Sequence, residues 1–382
     1  MKQGHAYWGV DVGSTGIRWA RWRFGGGVEP VNGPGRGPVA AALSADEAIF
    51  RVVELPPLPK REASSALRWE LQRILPFPVD EGIFDFQELQ HEGGTTSPSE
   101  SPAQVAAGSG SRRVRYAVSG GPLEAVDRRY RELRRLGVRP SILEPEWVTL
   151  WRSAVMLLLA GEPGQACAVI DLGASSTRLL VIGPEGHPVA FHRSPVGGDA
   201  IDRELVNILN TEPVEARRVK ESELAEDLGP LAGRPILGQL AGEFARALRR
   251  ARQDTGTHRL SVWAIGGGAR WGALVHLLEE ATGYPLSVPG AAPVSQRVAV
   301  GASGGGHHHS FAPDWLVPAA ESLAVLDPRQ VIAGALALWP VSRWGGRRSW
   351  IHTSGTGDAH PGRESVTIGR GRSQEPEGGP EA

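Results

Sequence analysis

Gly9-Val10-Asp11-Val12-Gly13-Ser14-Thr15-Gly16-Ile17-Arg18 and Val169-Ile170-Asp171-Leu172-Gly173-Ala174-Ser175-Ser176-Thr177-Arg178 are two copies of one design. In each, an apolar strand delivers an aspartate, then a glycine, then small and hydroxyl residues, then a second strand. The glycine permits a tight turn and close backbone approach. Successive backbone N–H groups, helped by the hydroxyls of Ser14, Thr15, Ser175 and Ser176, can cradle a phosphate oxygen. An aspartate just before such a turn can hold Mg2+ through water, because Mg2+ gives up its water reluctantly. One copy alone reads more readily as a plain hairpin turn. Two strand-flanked copies at a domain-sized separation point to duplicated domains whose hairpins clamp the phosphates of a nucleotide.

A third glycine stretch, Gly266-Gly267-Gly268-Ala269-Arg270, follows the apolar run Leu260–Ile265 and opens a helix. It offers amides and a helix start to a polar ligand. No G-K-[ST] follows it, so it is not a phosphate loop of the Walker kind, and its spacing is not that of a dinucleotide fingerprint. After two phosphate hairpins it suits a nucleoside contact.

The intervening chain alternates strands and helices. Periodicity predicts strands over Tyr7–Val12, Ile17–Phe24, Ala48–Leu55, Ile83–Leu89, Arg113–Ser119, Ala168–Asp171, Thr177–Ile182 and Leu260–Ile265. It predicts helices over Glu62–Leu75, Pro122–Leu136, Glu146–Leu159, Gly198–Leu209, Val214–Glu221, Ile236–Gln253, Ala269–Thr282 and Pro328–Leu338. Pro76 and Gly137 are the expected stops of the first two. The arginine clusters Arg128-Arg129, Arg134-Arg135 and Arg249-Arg250-Arg252 read as solvated helix faces.

Composition bounds the function. The 382 residues carry 41 basic and 42 acidic side chains, a net charge of −1, which argues against direct nucleic-acid binding. The single cysteine, Cys167, excludes an intrachain disulfide or a cysteine metal cluster and reads as a small core residue. No apolar run reaches the 18 or so residues of a membrane span, and the start lacks a signal-peptide core, so the expectation is a soluble, cytoplasmic chain. Of the 50 glycines and 30 prolines, 31 fall in residues 25–38, 93–113, 303–310 and 340–382, where they are denser than in the rest of the chain. The first reads as a loop or turn-rich hairpin, the second as a flexible insertion, and the last as a disordered tail. His307-His308-His309 lies in the third and reads as solvated loop.

The three glycine motifs together resemble those of the actin, Hsp70 and sugar-kinase superfamily. Within it, the sequence resembles the PilM family of type IV pilus assembly proteins. The resemblance is carried by Glu54-Leu55-Pro56-Pro57-Leu58-Pro59, by Ala66-Leu67-Arg68-Trp69-Glu70, and by Ile74-Leu75-Pro76-Phe77-Pro78-Val79-Asp80-Glu81 with Ile83-Phe84-Asp85-Phe86. His192-Arg193-Ser194-Pro195-Val196-Gly197-Gly198, Glu215-Ala216-Arg217-Arg218-Val219-Lys220 and Gly266 to Arg270 with Gly283 extend it. Arg18 stands where a lysine is common, and Glu144-Pro145-Glu146 where the family has D-x-E.

The resemblance implies an α/β protein of two ribonuclease-H-like domains, the actin-like ATPase fold, with an inserted small α+β subdomain. Domain 1 would span 5–165, with a peptide-docking subdomain at about 46–142 carrying the 93–113 loop, and domain 2 would span 166–339. It implies ATP with Mg2+ in the cleft. Asp11, Gly13, Ser14, Thr15, Asp171, Gly173, Ala174, Ser175 and Ser176 would face phosphates and metal, with Asp11 and Asp171 reaching Mg2+ through water. Gly197, Gly198, Lys220, Gly266, Gly267, Gly268 and Arg270 would complete the nucleotide site. It implies a cytoplasmic scaffold of a pilus, DNA-uptake or type II-like secretion machine, held at the inner face of the cell membrane by the N-terminal peptide of a PilN-like bitopic protein. Pilus assembly ATPases and a homo-oligomeric ring are further implied partners. Leu67, Leu71 and Ile74 read either as groove lining or as core. Glu146 is the one local carboxylate that could activate a water; the other reading is a helix-start acid favoured by the helix dipole. ATP binding with slow or no hydrolysis is therefore expected. A filament-forming FtsA-like protein and a small-molecule kinase of the same superfamily are the alternatives.

Overall fold

The computed structural model describes residues 6–89, 113–161, 164–222, 229–255, 259–290 and 317–341. The 93–113 and 303–310 loops and the 340–382 tail, apart from residues 113, 340 and 341, lie outside the described residues.

Two five-stranded sheets repeat one topology. The first holds β1 (Ala6–Gly13), β2 (Gly16–Arg23), β3 (Val28–Val31), β4 (Val39–Leu43) and β8 (Ile142–Pro145), in the order β3-β2-β1-β4-β8. The second holds β9 (Ala166–Leu172), β10 (Thr177–Ile182), β11 (Pro188–Ser194), β12 (Leu260–Ile265) and β13 (Leu286–Ser287), in the order β11-β10-β9-β12-β13. In each, an antiparallel meander of three strands is extended by two parallel strands beside its first strand. The duplication read from two ten-residue motifs thus extends to whole sheets.

A third sheet, β5 (Ile49–Leu55), β6 (Gly82–Leu89) and β7 (Val114–Pro122), lies in sequence between β4 and β8 and runs in the order β5-β7-β6. The helix α1 (Lys60–Ile74) covers it. Ala63, Leu67 and Leu71 face Leu55, Val114, Tyr116 and Val118 in a small core of their own. Leu67 and Leu71 are therefore core, whereas Ile74 and Trp69 are exposed. The chain leaves α1 through Leu75 in extended conformation, as the following proline requires. Helix α2 (Leu123–Arg135) places Ala125, Val126 and Leu133 in the main core instead.

Helix α3 (Glu146–Leu159) connects the two halves. Every residue after Glu146 is buried, because one side packs on the Cys167, Val169, Leu180 and Ile182 face of the second sheet and the other meets the first. A mostly apolar helix buried all round needs such a sandwiched position. The opposite face of the second sheet, with Ala168, Ile170, Leu172, Leu179 and Val181, is closed by α4 (Gly198–Leu209), α5 (Pro213–Ser222), α6 (Pro235–Thr255) and α7 (Gly272–Thr282). Covered on both faces, β9 is apolar without a break from Ala166 to Ile170.

Helices α8 (Val317–Ala324) and α9 (Val331–Ala337) close the first sheet. A Cβ on Gly9 would come under 3.0 Å from backbone atoms of Ala333, Leu336 and Ala337, so a glycine is what lets α9 lie directly on β1. A short 3-10 turn, Gly267–Arg270, precedes α7, and another, Pro328–Gln330, precedes α9, where continuous helices are predicted from sequence.

Candidate functional site

The two hairpins stand at equivalent places in the two sheets. In the first, Gly13 pairs with Gly16, leaving Ser14-Thr15 as an exposed two-residue turn. Gly16 has φ 139°, a conformation that side chains resist. In the second, Leu172 pairs with Thr177, and Gly173 to Ser176 make a four-residue turn. Ser175 is exposed while Ser176 is buried.

The second turn is stitched to the β11–α4 corner. Gly198 N donates to Gly173 O at 3.0 Å and Asp199 N to Ala174 O at 2.8 Å. Thr177 Oγ1 donates to Val196 O at 2.7 Å. A Cβ on Gly197 would come 2.6 Å from Ser176 N. Gly197 and Gly198 thus act as a buttress that fixes the shape of the turn, and the first amides of α4 are spent on it. Lys220, on α5, donates to Gly198 O at 3.2 Å and pairs with Asp202, which also takes Arg217 Nε at 3.1 Å.

The third glycine stretch lies against the same hairpin. Gly266 has φ 84°, and a Cβ there would meet Asp171 Oδ1 at 2.5 Å. Gly268 presses on Leu172 in the same way. A Cβ on Gly267 would meet nothing within 4 Å, so this glycine borders open space. Arg270 is exposed at the end of the turn.

Charge converges between the hairpins. Asp11 lies directly across the ladder from Arg18, and Asp171 directly across from Arg178. Arg178 Nη2 reaches Asp171 Oδ2 at 2.5 Å, and Nη1 pairs with Glu146 at the start of α3. Glu146 Oε2 also accepts the backbone N–H of Ala45 at 2.8 Å. Asp11 is looser: Arg18 Nη1 is 3.8 Å away, and the carboxylate side chain keeps 21% of its surface exposed. Burial pushes the Asp11 carboxyl up to about 7, with Glu146 and Asp171 adding to the shift and Arg18 and Arg178 opposing it. Burial likewise raises Asp171, against the pull of Arg178. Burial works against the charge on Arg178, yet Asp171 and Glu146 outweigh it and raise its basicity. Asp11, Asp171, Glu146, Arg18 and Arg178 therefore form one electrostatic unit. Among the described residues no three His, Cys, Asp or Glu side chains make a direct metal cage.

Two arrangements were not anticipated from sequence. Arg129 is not a solvated cation: its Nε donates to Ala42 O at 3.1 Å and its Nη2 to Val12 O at 2.8 Å, beside the first turn. Glu144 is buried and held by Arg152 at 2.6 and 2.8 Å and by Thr149 Oγ1 at 2.8 Å. The central pairing of Arg178 had a signal: both hairpins read D-x-G-x-x-x-x-R.

Two sheets of one repeated topology, each carrying its Asp-x-Gly hairpin, are the actin-like ATPase fold. The family model described as type IV pilus assembly protein PilM matches residues 34–296, and the chain belongs to that family. The match begins after the first hairpin, so Asp11 stands in the actin-like plan on structure and sequence motif rather than on that match. The solved "PilM-PilN type IV pilus biogenesis complex" superposes with a TM-score of 0.62 at 22% identity, covering 88% of this chain and 98% of that one. The ethanolamine utilization protein EutJ from Carboxydothermus hydrogenoformans gives 0.41 at 15% identity, covering 88% of this chain and 90% of that one, too distant to bear on the site. No curated protein sequence matches the chain significantly. Among the described residues no helix is long and apolar enough to cross a membrane.

Proposed function

We propose that the chain is an ATP-binding scaffold of a type IV pilus machine that docks the N-terminal cytoplasmic peptide of a PilN-like membrane protein. The observation that carries the nucleotide part is the convergence of two glycine hairpins and the Gly266–Gly268 turn on one cluster of charge. Gly266 touches the Asp171 carboxylate where any larger residue would collide, and Gly267 borders open space. These features fit a nucleotide. Gly13, Ser14 and Thr15 on one side and Gly173, Ala174, Ser175 and Ser176 on the other would hold the phosphates. Gly267, Gly268, Arg270 and Lys220 would face the nucleoside. A bound Mg2+ would supply charge to the phosphates, reached through water from the aspartate side.

The chain's own groups favour binding over turnover. Hydrolysis needs a residue to orient or activate water. Glu146 is the local carboxylate, and it is committed to Arg178 and to the Ala45 amide. Turnover well below about 1 s⁻¹ is expected, slower than working enzymes.

The peptide part rests on family membership and on the superposed structure, a complex of PilM with PilN. The third sheet with α1 offers a surface for it, where Trp69 is 72% exposed and Ile74 45%. Titration of the chain with ATP and Mg2+, and separately with a synthetic peptide of the PilN-like protein's cytoplasmic segment, tests both parts. Saturable binding of each supports the reading. Absence of peptide binding removes the scaffold assignment, and absence of ATP binding removes the nucleotide site.

A further inference from the structure

The repeat hides a difference. Both hairpins read Asp-x-Gly followed after four residues by Arg, and both place that Arg directly across the ladder from the Asp. Each guanidinium sits beneath its own glycine turn. A Cβ on Gly13 would meet Arg18 Nη1 at 4.0 Å, and one on Gly173 would meet Arg178 Nη2 at 3.6 Å.

The two pairs are closed to different degrees. Asp11 and Arg18 are 3.8 Å apart, with side chains 21% and 18% exposed. Asp171 and Arg178 are 2.5 Å apart, with side chains 3% and 11% exposed. Arg178 is held a second time by Glu146, itself 13% exposed, and its Nε is buried without a hydrogen-bond partner. The other oxygen of Asp171 is walled by Gly266.

A hydrated divalent ion needs a carboxylate oxygen that its water can reach. Asp11 presents one. Asp171 does not, and freeing it would take one of two carboxylate partners from a buried guanidinium, which is unfavourable. We propose that the two aspartates have unequal roles: Asp11 alone serves the metal side of the cleft, while Asp171 is a positioning residue that fixes Arg178 as the resident cation of the second hairpin. This inference rests on the nucleotide reading above. Arg178 in turn ties that hairpin to Glu146 at the head of the connecting helix.

The test is the ratio of ATP affinities measured with Mg2+ and with EDTA on the full chain, with Mn2+ electron paramagnetic resonance as a direct count of bound metal. The wild type is expected to show a ratio of about tenfold or more, and Asp11→Asn a ratio near one. Asp171→Asn, which leaves Arg178 its Glu146 partner, is expected to keep the wild-type ratio and the Mn2+ signal. A wild-type ratio near one, or a ratio lost when Asp171 is changed, overturns the inference while the nucleotide site stands. No ATP binding in either medium overturns the nucleotide reading and this inference with it.

Discussion

Gly9→Ala probes the packing on which the first hairpin depends. Gly9 lies two residues before Asp11 on β1, and its added Cβ would fall under 3.0 Å from the Ala333 carbonyl oxygen, the Ala337 nitrogen and the Leu336 carbonyl carbon. All three are backbone atoms, so no side chain can rotate aside. Every residue of α9 is buried, so the helix has no slack to withdraw. Overpacking of a tight core costs about 1–3 kcal/mol, and these contacts belong at the upper end. With a urea dependence of about 3 kcal/mol per molar for a chain this large, the unfolding midpoint should fall by about 1 M. Gly13→Ala is the control, because its Cβ would meet nothing nearer than Arg18 Nη1 at 4.0 Å. It should leave the midpoint within the scatter of surface substitutions, about 0.5 kcal/mol. Equal midpoints for wild type and Gly9→Ala would refute the close approach of α9 to β1.

Three further outcomes are expected. Asp11 titrates near its ordinary 3.8 in the unfolded chain and at about 7 in the folded one, so the folded state holds an extra proton between those values. Stability therefore falls as pH rises from about 4 to 7, and Asp11→Asn should flatten that slope in urea midpoints taken across pH 4 to 8; an unchanged slope contradicts the buried environment. Arg129→Met removes the donors to Val12 O and Ala42 O and should cost about 1–3 kcal/mol, with faster amide exchange in β1 and β4 read by mass spectrometry. Cys167 is fully buried and its thiol is pushed up to about 12 by burial, so a thiol reagent at pH 8 should label it only after denaturation.

The hairpins were legible because their chemistry is local: Asp, Gly and hydroxyls within ten residues make a turn regardless of what surrounds it. Helix α3 was legible because Glu146–Leu159 is a long, mostly apolar run with Gly161 just past its end, which has few other solutions. The short strands β4 and β8 were not, since Val39–Leu43 and Ile142–Pro145 are buried on both faces and carry no alternation. Gly197 and Gly198 were legible as glycines that matter, but their role depends on the Gly173 and Ala174 carbonyls, a partner choice made by tertiary packing. Arg129 shows the same limit. On a helical wheel it is one of several arginines, and only the approach of α2 to the ends of β1 and β4 turns it inward. Glu146 reads from sequence as a helix-start acid, and nothing local reveals that Arg178 arrives from the other half.

Gly267→Val is the sharpest probe of the proposed nucleotide cleft. Its Cβ would meet nothing within 4 Å, so the fold should tolerate the side chain while the space beside the hairpins fills. A nucleotide seated between the hairpins predicts saturable ATP binding by the wild type, at least about tenfold weaker binding by the variant, a loss of about 1.4 kcal/mol, and an unchanged melting temperature. Equal affinity in the two folded proteins would place any nucleotide somewhere other than between these hairpins.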